Sequence, residues 1–132
     1  MRKPRRHRKR AAATIELAVT IPLMMTLIFG TIEVCQRIFL RQTAVIAAYE
    51  GARLASRRTA TTDQVKTRCQ SILTNRRASN AVVTLTPATV ENQPIGTVIR
   101  VSVTVPWTGN TPISFVTIGS GNVTVNAAMV RE

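Results

Sequence analysis

The sequence predicts an α+β protein with a long N-terminal transmembrane/amphipathic helix, a short second helix and a three-stranded antiparallel sheet. Three observations predict it. An apolar stretch of 22 residues, Ala11–Ile32, follows directly on a basic run. Helical spacing of apolar and charged residues continues past that stretch to Arg58. From Ala81 the pattern changes to alternation, in three separate runs.

The first helix begins at one junction. Arg2, Lys3, Arg5, Arg6, Arg8, Lys9 and Arg10 make a seven-charge leader, residues 1–11, that stops abruptly. The 22 residues Ala11–Ile32 are apolar or small except for Glu16. A bilayer core of about 30 Å needs about 20 such residues as a helix. The segment 12–32 is therefore expected to cross a membrane. Clustered Lys and Arg stay cytoplasmic, so the N-terminus is expected inside and residues 33–132 outside. Pro22 lies within the span. Its missing N–H and its ring predict a modest kink, which membrane helices tolerate.

The helix is expected to continue, over 33–58. This stretch has no proline and only Gly51 as a glycine. Glu33 and Arg37 stand four apart with the acid first, the favourable order. Glu50 and Arg53 form a second short-range pair, and Gly51 between them suits close packing. Cys35, Ile38, Phe39, Ile46, Tyr49 and Leu54 suggest a loose apolar stripe opposite Arg37, Arg41, Glu50, Arg53 and Arg57.

Thr59-Ala60-Thr61-Thr62-Asp63 breaks the pattern and ends in capping residues. A second helix is expected over 63–77, with Val65, Cys69, Ile72 and Leu73 on one face. Arg76 and Arg77 suit its C-terminal dipole, and Asn75 or Asn80 suits the exit. Strands are expected near 81–86, 97–105 and 122–130. The clearest carries Ile99, Val101, Val103 and Val105 on one face. The last carries Val123, Val125, Ala127 and Met129. Between them, Pro106–Gly121 is rich in Gly, Pro, Thr and Ser and reads as a long loop, with Trp107, Ile113, Phe115 and Ile118 tucking over the sheet.

Composition narrows the function. The net charge is +12, but seven of the 18 basic residues belong to the leader. The remainder carries 11 basic against 6 acidic residues, or +5. The leader abuts a membrane segment, and the rest lacks an aromatic and basic platform, so no nucleic-acid partner is expected. The single histidine, His7, sits inside the leader. That leaves no hydrolase triad, and two isolated cysteines make no zinc site. No enzyme activity, catalytic residue, metal or cofactor is expected. Cys35 lies about 35 Å from the inter-helix turn and Cys69 about 10 Å, at 1.5 Å per residue. Cα atoms must approach within about 7 Å for a disulfide, so both are expected to be free thiols packed on their helices.

Glu16 is the anomaly. An ionisable group in a membrane span points to function by default. Its position one turn into the span also lets it reach the headgroups, and composition alone leaves both readings open.

Arg-Arg-small followed by Glu16 at the head of an apolar segment resembles the processing site of type IV pilin-like precursors. Within them the chain is most similar to the TadE-like pseudopilins of tight-adherence (Flp-type) pili. The matching pieces are Ala12-Ala13-Thr14-Ile15-Glu16-Leu17-Ala18-Val19 with Pro22, then Phe29-Gly30 and Ile32-Glu33, then Arg41-Gln42. Ala47-Ala48-Tyr49-Glu50-Gly51-Ala52-Arg53 and the ending Ala128-Met129-Val130-Arg131-Glu132 follow. The resemblance implies cleavage between Ala11 and Ala12 by a prepilin peptidase. The family usually has glycine where Ala11 stands. It implies that Glu16, then the fifth residue, neutralises the new amine of a neighbouring subunit. Two unpaired charges in lipid are each unfavourable, and a pair is much less so. It also implies a single-pass protein of the bacterial inner membrane. The partners would be other pilin or pseudopilin subunits and the inner-membrane pilus assembly platform. The competing expectation is an uncleaved, membrane-anchored binding domain, and the mature N-terminus separates the two.

Overall fold

A computed structural model describes residues 5–110 and 121–132, with side chains from residue 11 onward. The chain forms α1 (Arg5–Ala55), α2 (Thr62–Asn75), β1 (Val82–Thr86), β2 (Val98–Pro106) and β3 (Asn122–Val130). This is the predicted α+β arrangement of a long helix, a short helix and an antiparallel sheet ordered β1-β2-β3.

Helix α1 has 51 residues, about 77 Å at 1.5 Å per residue. It starts at Arg5, ahead of the expected segment 12–32, because Arg and Lys are good helix formers and join it. It ends three residues short of Arg58. Ser56 Oγ donates to the Arg53 carbonyl at 2.9 Å, and Arg57 N–H bonds Leu54 three residues back, tightening the last turn.

Helix α2 is capped one residue earlier than the pattern suggested. The Thr61 hydroxyl accepts from Gln64 N–H at 3.3 Å, and the Gln64 side chain accepts from Thr61 N–H at 3.2 Å. The helix leaves through Arg77, not through Asn75 or Asn80. Arg77 has φ 57°, with Ala78 N–H on the Leu73 carbonyl at 2.8 Å and Arg77 N–H on Thr74 at 3.0 Å. This pair of bonds is the Schellman closure usually given to glycine.

The core lies between the sheet and the two helices. Ile99, Val101, Val103 and Val105 are fully buried from β2, Val65, Cys69 and Leu73 are buried from α2, and Val123 is buried at the start of β3. The inner face of α1 corrects the expected stripe. Leu40, Thr43, Ala44, Ala47, Ala48, Gly51, Ala52 and Ala55 point inward. Cys35, Ile38, Phe39, Ile46 and Tyr49 are exposed, and only Leu54 is half-buried. Close approach explains the choice. A Cβ on Gly51 would lie 2.3 Å from Cys69 Sγ and 3.3 Å from Val101 Cγ1. Only small residues let α2 and β2 come this near.

Both cysteines are free, as expected, but only Cys69 is packed. Its thiol donates to the Ala47 carbonyl at 3.3 Å, and burial pushes its pKa up to about 11. Pro106 closes β2 and the half-buried Trp107 packs on the core. Ile113, Phe115 and Ile118 lie outside the described residues.

Candidate functional site

Helix α1 is the structural spine and the site. It is long and apolar enough to cross a membrane over the stretch that starts at Ala11. Ala11, Ala12, Glu16 and Pro22 all sit in continuous helix and are exposed. Among the described residues Glu16 has no ion pair. Around it the polar groups are satisfied locally. Thr20, Thr26 and Thr31 each donate a hydroxyl to the carbonyl four residues back, on Glu16, Pro22 and Leu27, at 2.7–2.9 Å. The threonines thus add no unpaired donor to an apolar medium, which leaves the Glu16 carboxylate as the site's chemical singularity.

The apolar surface does not stop where lipid would. Val34, Ile38, Phe39, Val45, Ile46 and Tyr49 continue it along the outer side of α1, and Tyr49 is still 53% exposed. Small residues fill the inner side, so the large apolar ones are left outside. Contiguous exposed apolar surface is uncommon on folded proteins away from interaction sites.

Two braces hold this helix to the sheet. Near the middle of α1, Glu33 is buried and accepts from Arg37 at 2.7 Å. The Arg37 guanidinium lies 5.1 Å from the centre of the Trp107 ring, a cation–π contact. The expected i,i+4 pair is therefore part of a joint between α1 and the end of β2. At the upper end, Arg131 is buried just after β3. It donates to the carbonyls of Val90, Arg58 (2.9 Å) and Glu91 (3.3 Å), and Glu132 N–H bonds Ser56 at 2.9 Å. Arg131→Met is expected to lower stability by about 2 kcal/mol, because buried carbonyls lose charge-assisted bonds. Arg131→Lys is expected to recover little, since one ammonium cannot fork as a guanidinium does. Urea melts of the full chain in detergent, followed by Trp107 fluorescence, measure both.

Beside this joint, Glu91 caps α2. Its carboxylate accepts from Thr62 N–H at 2.5 Å, the Thr62 hydroxyl at 2.8 Å and its neighbour Val90 N–H at 3.1 Å. Hydrogen bonding, led by the Thr62 N–H, lowers its pKa from 4.5 to about 2, although the residue is exposed. A depressed carboxylate stabilises the fold fully above its unfolded pKa and loses that contribution as pH falls towards the folded one. Wild type is therefore expected to exceed Glu91→Gln in stability at pH 7. The gap should close between about pH 4.5 and pH 2, which acid titration of the two proteins reads directly. Glu91 carried no signal in the sequence, because its main partner, Thr62, lies 29 residues away.

Glu50 bonds Arg53 at 3.8 Å, as its spacing suggested, and also Arg68 of α2 at 3.7 Å. Among the described residues no group of His, Cys, Asp and Glu is arranged to hold a metal.

Together these features define a helix-spined α+β protein whose exposed helix combines a candidate membrane span with an apolar face. One comparison matches over that helix: residues 11–53 match the family described as TadE-like protein. The match holds where the sequence resemblance was densest, from the Ala11 junction through Gly51-Ala52-Arg53. No curated protein and no solved structure matches the chain.

Proposed function

We propose that the chain is a single-pass minor pilin or pseudopilin that acts in assembly of a tight-adherence pilus. The apolar face of α1 that continues beyond the span, from Val34 to Tyr49, carries this reading. A helix that only anchored a domain would need apolar surface in lipid alone. A helix that packs against the helices of other subunits needs it further along. The family match over residues 11–53 supports the same conclusion.

In this reading the basic leader stays in the cytoplasm and the sheet lies outside. A prepilin peptidase cuts between Ala11 and Ala12. Glu16 then lies one helical turn from the new amine, and in lipid it pairs with the amine of an adjacent subunit. Other pilin subunits and the inner-membrane assembly platform are the partners, and the protein acts by packing, not by catalysis.

Processing tests the reading. Mass spectrometry of protein extracted from membranes with an active peptidase is expected to show an N-terminus at Ala12. Mature material that keeps Arg8–Arg10 would favour the uncleaved, anchored binding domain.

A further inference from the structure

Strand β3 is an edge strand of the sheet. Trp107 N–H bonds the Gly121 carbonyl and Arg131 N–H bonds the Thr97 carbonyl, in one register with Val98↔Val130 through Pro106↔Asn122. The odd-numbered residues of β3 therefore bond β2. The even-numbered ones, Asn122 to Val130, turn their N–H and C=O groups to the free edge. Among the described residues no backbone group pairs with them. On the far side of the sheet, β1 likewise leaves Val83 and Leu85 facing outward.

Folded proteins protect such edges with charges, proline or bulges. Over its nine residues β3 has none of these, and its register with β2 is unbroken. Strand β1 is also uncharged. Around them the chain beyond the leader carries an excess of five positive charges. A net positive charge disfavours contact between copies through charged surface, and neither of these two strands carries a charge that would oppose it.

Strand direction selects the pairing. β3 begins beside Trp107, at the level of Arg37, and ends at Ser56 and Arg58. Those levels are about 28 Å apart along α1. β3 thus runs with α1, away from the apolar end, and two antiparallel steps make β1 run the same way. Copies anchored in one bilayer share the direction of α1. Antiparallel pairing of two β3 strands would reverse one helix. Parallel pairing of two β3 strands would put the two helices on opposite faces of the sheet. Placing β3 beside β1 of the next copy keeps the helices in one direction and on one face.

We propose that the β3 edge docks the β1 edge of a second copy of this chain, in parallel, so that the sheet continues from subunit to subunit. The proposal rests on the membrane-anchored assembly reading. Such a head-to-tail contact does not close in a pair; it builds rings or filaments. The row Thr84-Ser102-Asn126 crosses the exposed face of the sheet at one height. It continues from Asn126 to Thr84 of the next copy.

The test is oxidative crosslinking of the full chain in its own membranes, with Cys35→Ser as background. Thr84→Cys with Asn126→Cys in one chain is expected to give a ladder of dimers and higher species, and either substitution alone none. Adding Thr124→Lys with Val82→Lys, neighbours in the adjacent row, is expected to abolish the ladder, while Thr124→Lys with Val82→Glu keeps it. Dimers from Asn126→Cys alone would show β3 pairing with β3 and overturn the proposal. So would a double variant that crosslinks no better than the single ones. Ile38→Cys on the helix face separates the two ideas. If it crosslinks while the strand pair does not, the edge contact is wrong and helix-driven assembly stands. If neither crosslinks, both fall.

Discussion

Gly51→Val is expected to destabilise the folded domain by about 3 kcal/mol or more, and Gly51→Ala by about 2 kcal/mol. The first carbon added at Gly51 would stand 2.3 Å from Cys69 Sγ, well inside contact distance. Both sides of the clash are fixed: Cys69 is fully buried on α2, and Val101 behind it belongs to the central strand. Overpacking of this kind typically costs about 1–3 kcal/mol, occasionally more. Alanine regains up to about 1 kcal/mol because it is the better helix former, and valine regains less. A second substitution makes the cause specific. Cys69→Ala alone should destabilise, since it empties buried volume. Combined with Gly51→Ala it removes the clashing sulfur, so the double variant should be more stable than Gly51→Ala. Denaturation of the four proteins completes the cycle. Additive effects would mean that α1 and α2 do not approach as closely as the geometry states.

Glu16→Ala is expected to leave the protein inserted and folded but to stop its incorporation into the pilus machinery. Glu16 is exposed on α1, far from the core, so its removal takes nothing from the fold. Insertion should become easier, because a carboxylate in lipid is unfavourable. Any loss must then come from what the carboxylate does with a partner. In the proposed mechanism that partner is the Ala12 amine of an adjacent subunit, left unpaired in low dielectric when Glu16 is gone. Glu16→Gln keeps size and hydrogen bonding but not charge. It should fail like alanine if neutralisation is the role. Piliation and crosslinking to other subunits are scored in cells without the native copy. Wild-type behaviour of both variants would reduce Glu16 to a carboxylate that reaches the headgroups.

Much of this protein was legible in one dimension. Element type follows from local pattern: a lipid-length apolar run, helical spacing to Arg58, and strict alternation in the three strands. Each strand lies within a residue of its expected limits, because alternation and turn residues are short-range signals. The Ala11 junction, Glu16 and Pro22 were visible for the same reason, as breaks in an otherwise uniform stretch.

The face that α1 buries was not legible. Hydrophobicity placed Ile38, Phe39, Ile46 and Tyr49 in the apolar stripe, yet the structure buries Ala44, Ala47, Ala48, Gly51 and Ala52. Periodicity gives the angle between faces but not which one a neighbour occupies. That was decided by how near α2 and β2 approach, a distance that only small side chains allow. Arg131 and Glu91 were hidden likewise. Their meaning lies in carbonyls and amides brought to them from 29 to 73 residues away. Sequence alone determined what the elements are and where the chain can enter a membrane. Tertiary structure decided which side of the spine faces the core, and so which apolar side is left for another molecule, because steric fit between packed elements exists only once they meet.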